Sequence, residues 1–168
     1  MTGLQGAIVH ILHHAMMKGA LFLCAGAIIY KTGIREIPEM AGIGKKMPIT
    51  MLVFTIAALS MIGIPPLCGF ISEWTLAMGA LETGTPAFMI SIVVLILSSL
   101  MNAVYFVPII INAFFGEDDH DKKVEYGDAP ISMLVPMVIL ALGVILFGIF
   151  TNISFSVIVQ AVNALFGA

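Results

Sequence analysis

Four long apolar runs alternate with short charged segments along this chain. The first runs from about Leu4 to Tyr30, the second from Met47 to about Ala80, the third from about Pro86 to Phe115, and the fourth from about Pro130 to Phe166. A helix needs about 20 apolar residues to cross the ~30 Å hydrocarbon core of a bilayer, and each run supplies them. Strands are excluded as spanning elements. Too few could form here to close a barrel, and an open sheet edge in lipid leaves backbone groups unpaired. The pattern predicts an all-α, polytopic membrane helix bundle of four transmembrane segments, forming one domain over residues 1–168.

The second run is too long to be a single rod. Its roughly 34 residues would measure ~51 Å as one helix. Gly63-Ile64-Pro65-Pro66 interrupts it. Pro65 and Pro66 lack backbone donors, and Gly63 loosens the chain just before them. The expectation is one broken helix, its halves joined by a non-helical elbow at Gly63, Pro65 and Pro66. A tight turn between two short helices is the alternative. Unpaired backbone at membrane depth is tolerated only inside protein or beside a water-filled cavity, and transporters place ion sites at such breaks.

Charge sorts the loops. Lys31, Arg35, Lys45 and Lys46 lie in residues 31–46, and the short link 81–85 has Glu82 and no base. Residues 116–129 hold Lys122 and Lys123 among Glu117, Asp118, Asp119, Asp121, Glu125 and Asp128. With four crossings, the first and third loops share one side, and every Lys and Arg except Lys18 falls there. The positive-inside rule makes loops 31–46 and 116–129 cytoplasmic and puts both termini outside. The expected location is the cytoplasmic membrane of a prokaryote.

Composition narrows the class. The chain is 60% hydrophobic and 10% charged, where soluble domains run at ~45–50% and ~25%; its mean hydropathy is +1.10. That excludes a soluble globular domain, and a net charge of −3 gives no reason to expect a nucleic-acid partner. The surrounding partner is lipid. Cys24 and Cys68 sit within apolar runs without a CxxC motif and read as small buried residues. The N-terminus lacks a basic n-region, so the first run is expected to be retained as structure.

The polar residues inside the runs carry the candidate chemistry. His10, His14 and Lys18 fall at i, i+4 and i+8, along one helix face. His13 points about 100° away from His14. Lys18 lies near mid-span, where a cation is costly unless it faces protein or water. Glu73 is the only acid within an apolar run, about two turns past the Pro-Pro break. Its expected partner is Lys18 or a lysine from another chain. Three ionisable groups on one face, with an acid at a helix break, point to an ion pathway through Lys18, Glu73, His10 and His14. Packing histidines are the bland alternative. Histidines at i and i+4 can chelate a metal, but no carboxylate or thiol joins them nearby, so no metal is expected. Asp118, Asp119, His120 and Asp121 lack the ligand spacing of a calcium loop and read as solvated. Ser91, Ser98, Asn102 and Tyr105 form a stripe on the third run, serving as interhelical glue or, at Ser98 and Asn102, as the lining of a hydrated path. The fourth run, with Asn152 and Gln160 as its main polar groups, reads as a packing helix.

At these residues a family resemblance emerges. His10-Ile11-Leu12-His13-His14-Ala15-Met16-Met17-Lys18-Gly19-Ala20-Leu21-Phe22-Leu23 resembles the His-x3-His-Ala-x2-Lys-x2-Leu-Phe-Leu helix of the antiporter-like membrane subunits. So does Glu39-Met40-Ala41-Gly42-Ile43-Gly44-Lys45-Lys46-Met47-Pro48, and Gly63-Ile64-Pro65-Pro66-Leu67-Cys68-Gly69-Phe70-Ile71-Ser72-Glu73-Trp74 is similar to the family's discontinuous helix. The family comprises the proton-pumping subunits of respiratory complex I, the A and D subunits of Mrp-type sodium/proton antiporters, and relatives in membrane-bound hydrogenase and formate hydrogenlyase. The resemblance implies that Lys18 is the central lysine of a hydrophilic axis, that His10 and His14 lead to it, and that Glu73 is the terminal ionisable group. It also implies that this chain matches only the last four helices of a fourteen-helix subunit. The earlier helices would come from another chain, alongside other membrane subunits. The implied function is proton or sodium translocation in a multisubunit complex driven by a redox module or an ion gradient, with no cofactor and no catalytic site of its own. The alternative is a structural subunit that completes a split bundle without transporting.

Overall fold

The computed structural model describes residues 2–117 and 127–166. The acidic segment Asp118–Asp121 and the Lys122-Lys123 pair lie outside the described residues. The architecture is all-helical. Helix α1 covers Thr2–Thr32, a 3-10 turn Ile37–Met40, α2 Ile43–Lys46, α3 Pro48–Ile62, α4 Cys68–Thr83, α5 Pro86–Phe115, α6 Ile131–Ile149 and α7 Thr151–Phe166. Pro48 and Pro86 open their helices, where a missing N–H costs nothing. Helices α1, α5 and α6 are each long and apolar enough to cross a membrane.

Helices α3 and α4 together lie along α1. Their contacts with α1 run antiparallel from Cys24 back to Thr2. Cys24 Sγ reaches the Thr50 carbonyl, His13 the Cys68 carbonyl and His10 the Ser72 hydroxyl. Further along, Gly6 lies against Thr75 and Leu76, and Gly3 against Gly79. Thr2 Oγ1 donates to Glu82 Oε1 at 2.8 Å. A hairpin would reverse direction at the break. This pair continues past it, so the second run is one span with an elbow.

The fourth run is not the single packing helix expected from its sequence. It breaks at Phe150, whose backbone (φ −103°, ψ 64°) leaves the helix before α7 starts. As one rod, its roughly 37 residues would reach ~55 Å. The 19 residues of α6 already suffice for the core. Helix α6 packs antiparallel on α1, with Leu140 over Gly19, Met16 over Gly143 and Phe147 stacked on His13. Helix α7 continues along it, with Ile158 and Val162 against Val9.

The core lies around α1. Met17, Ala20, Cys24 and Ala27 are buried against Met51, Ala57 and Ala58 of α3, Met137, Ala141 and Val144 of α6, and Phe106 and Ile109 of α5. Helix α5 buries little else. Ile96, Leu100, Met101 and Val104 are more than half exposed, forming an apolar face suited to lipid or another helix. Two of the loops meet. Gly127 N–H donates to the Lys46 carbonyl at 2.9 Å, and Asn112 Nδ2 donates to Ile37 O at 3.0 Å. The segments after α1 and before α6 thus share one end of the bundle. Thr2 and Glu82 mark the other.

Candidate functional site: the elbow and the histidine face of α1

The elbow forms because α3 ends in a left-handed glycine. Gly63 has φ +84°, a conformation that costs a glycine nothing. Its N–H donates to Ser60 O and the next N–H, of Ile64, to Leu59 O, both at 3.1 Å. This paired arrangement satisfies carbonyls that a helix end leaves open. The next half-helix begins at Cys68 with no cap from Leu67. Ser60 Oγ supplies one instead, accepting from Gly69 N–H at 3.0 Å. One more freed carbonyl, of Met61, accepts from Asn102 Nδ2 of α5 at 3.0 Å. Side chains from the first half and from α5 thus pair the backbone that Pro65 and Pro66 interrupt.

Glu73 sits on α4, half-buried, with its carboxylate folded back against the elbow. A side-chain carbon at Gly63 would stand 2.6 Å from Glu73 Oε2, so the bare backbone there makes room for the carboxylate. The same oxygen accepts from Ser99 Oγ of α5 at 3.0 Å. The polar stripe of the sequence points to the neighbouring Ser98 and omits Ser99. Ser98 is exposed, and Ser99 shares the inward face of α5 with Asn102, Phe106 and Ile109.

Two histidines of α1 reach the first turns of α4. His10 Nδ1 and Ser72 Oγ are hydrogen-bonded at 2.9 Å. His13 Nδ1–H donates to the Cys68 carbonyl at 2.9 Å. The ring of His14 lies 5.6 Å from that of His10. His13, the odd histidine of the sequence pattern, is the most buried of the three, at 0% exposure. A signal for it exists in the sequence: His13 continues the buried stripe Gly6, Val9, Met17, Ala20, Cys24, which recurs every three to four residues.

Lys18 is not brought to Glu73. It is half-buried and lines a separate cavity of about 270 Å³ between α1 and α5, with Phe22, Arg35, Phe54, Tyr105 and Phe106. The carboxylate takes the Ser99 hydroxyl as its partner instead, because the elbow turns it toward α5. Among the described residues no group of three His, Cys, Asp or Glu side chains could hold a metal. The site therefore offers a carboxylate at a helix break, a histidine pair bonded into the same half-helix, and a lysine one to two turns further along α1.

This geometry defines a helical membrane subunit organised around a broken, carboxylate-bearing helix. A family model described as NADH:quinone oxidoreductase/Mrp antiporter, TM matches residues 1–101. The chain belongs to that family. It is 42% identical over 168 residues to NADH-quinone oxidoreductase subunit N of Desulforudis audaxviator, covering 94% of this chain and 33% of the relative. It is 38% identical over 151 residues to the D subunit of the Na(+)/H(+) antiporter of Bacillus subtilis, covering 90% and 30%. A chain of the membrane-bound sulfane sulfur reductase, an archaeal respiratory membrane complex, superposes with a TM-score of 0.77 at 33% identity, covering 88% of this chain and 24% of that one. The chain thus spans a third or less of the length of these relatives.

Proposed function

We propose that this chain forms part of an ion-translocating unit within a multisubunit membrane complex, and that it moves protons or sodium ions along α1, between its interface with α4 and the Lys18 cavity beside α5. The observation that carries the reading is the hydrogen bonding of His10 and His13 into the half-helix whose Glu73 rests on the elbow. Intramembrane ionisable groups are costly and mark ion paths when they face the bundle interior. Half-helix ends with freed backbone groups are where transporters hold ions. In this reading Glu73 exchanges the ion at the elbow, His10 and His14 relay protons, and Lys18 holds positive charge deeper in the path. In this reading water links Lys18 to Glu73.

The partners follow from what the chain carries. It matches a third or less of its relatives, so further helices that complete the path come from other membrane segments. A redox module or an ion gradient supplies the energy. The cytoplasmic membrane is the proposed location, with loops 31–46 and 116–129 on the cytoplasmic side.

Lys18→Ala in the assembled complex tests this against a purely structural subunit. The expected result is normal assembly with ion transport lost. Retention of both assembly and transport would refute the proposal. Running the assay in proteoliposomes with and without sodium identifies the ion.

A further inference from the structure

Among the described residues, one buried side-chain polar atom lacks a partner: Nε2 of His13. The His13 ring otherwise makes two contacts with different elements. Its Nδ1–H is donated to the carbonyl of Cys68, the first residue of α4. Its face stacks on Phe147 of α6, with centroids 5.9 Å apart. At the next position of α6, Gly148 lets the elbow backbone approach so closely that any side chain there would strike Pro66 O. Thus α1, α4 and α6 converge on one imidazole at the point where the spanning helix is interrupted.

We propose that His13 is the latch of the broken helix, a positioning residue that fixes the first turn of α4 and thereby sets Ser72 and Glu73. A carbonyl has two lone pairs, and one can serve the helix while the other takes a side-chain donor. Two side chains compete for that role at Cys68 O. Ser72 Oγ stands at 3.4 Å, while His13 Nδ1 stands at 2.9 Å. The shorter bond is also the one that ties α4 to another helix. A filler side chain could occupy the volume of His13 without making it. Nδ1–H is then the functional atom of the residue, and unpartnered Nε2 is the cost of placing it there.

The chain contains its own reporters. Cys68 lies at the latch and Cys24 lies farther along α1, facing α3, and both are fully buried. A membrane-permeant maleimide applied to the native complex labels each thiol in proportion to its local opening. His13→Leu keeps the bulk and removes the donor. His13→Asn loses bulk but keeps an amide N–H where Nδ1 stood. The expected result is that His13→Leu raises Cys68 labelling about tenfold, equivalent to about 1.4 kcal/mol of local opening, while Cys24 stays protected. His13→Asn should keep Cys68 protected to within about threefold, equivalent to about 0.7 kcal/mol. If His13→Asn exposes Cys68 and His13→Leu does not, His13 is volume alone and the proposal is overturned. Equal labelling of Cys24 and Cys68, or no change in either variant, overturns it as well. Labelling reads the elbow directly, so the outcome is independent of whether the chain transports ions.

Discussion

Two apolar runs in this chain are interrupted, one at Gly63–Leu67 and one at Phe150, and they are repaired in different ways. At the elbow, the interrupted backbone recruits side chains from across the bundle: Ser60 for Gly69, Asn102 for Met61 and His13 for Cys68. At Phe150 the repairs are local. Phe150 N–H donates to Leu146 O, Ile153 N–H to Phe150 O, and Ser154 Oγ to Thr151 O. Both satisfy the rule that backbone inside a membrane must be paired. Only the first draws in polar side chains from other helices, His13 from α1 and Asn102 from α5. A break repaired from a distance gathers the groups that chemistry can use, while a break repaired within its own turn is a bend.

The largest expected effect comes from closing the elbow's packing. Gly69→Ala would place a carbon on the Ser60 carbonyl, with backbone on both sides and no flexible side chain to yield. Overpacking of this kind costs about 3 kcal/mol, read as a large drop in the thermal midpoint of the purified complex or as loss of assembly. An unchanged midpoint would mean that the two half-helices are not in close contact. Next is Ser60→Ala, which leaves Gly69 N–H without its acceptor. Hydrogen bonds of this kind in membrane proteins average about 0.6 and reach about 1.7 kcal/mol, and the upper value is expected for a helix-end donor.

Asp128→Ala should cost about 1–2 kcal/mol. Asp128 caps α3 from 78 residues away, accepting from Thr50 N–H at 2.8 Å and Ile49 N–H at 3.2 Å. Because it acts at the far end of the half-helix, thermal stability should fall while ion transport by the surviving complex persists. Loss of transport at full assembly would instead join the capped end to the site. The smallest effect is expected at the second break. Thr151→Ala leaves the backbone repairs of that break in place and should stay within about 0.5 kcal/mol. A larger loss would make Phe150 a second elbow and dissolve the contrast.

Much of this is legible in the sequence, for reasons that also explain what is not. The elbow is legible because Gly63, Pro65 and Pro66 each remove a helical option by covalent structure alone. The meeting of the first and third loops follows from the alternation of the long apolar runs alone. Phe150 escapes because it carries no such chemistry: a run too long for the bilayer must bend, but length alone does not say where. Ser99 escapes because Ser98 and Ser99 differ by one residue, about 100° of helix, and Pro108 within α5 disturbs any long register. Asp128 is one charge among many in an acidic loop, and its capping role depends on a tertiary fold that brings it to α3. The angle between His13 and His14 hides the importance of His13, because the small residues around it set the buried face of α1. Lys18, one of the two partners expected for Glu73 beside a lysine from another chain, stands apart from it for a related reason. Position along two helices fixes depth, but the vacant side of Gly63 decides the direction of the Glu73 side chain.

Transport in this scheme depends on the carboxylate at the elbow. The most direct measurement is ion translocation by the assembled complex carrying Glu73→Gln, which keeps an acceptor for Ser99 and removes the titratable charge. The predicted result is full assembly, with any coupled redox activity partly retained and ion movement reduced at least about tenfold, about 1.4 kcal/mol in barrier height. Ion movement at the unsubstituted rate, with an unchanged ratio of ions to electrons, would contradict it.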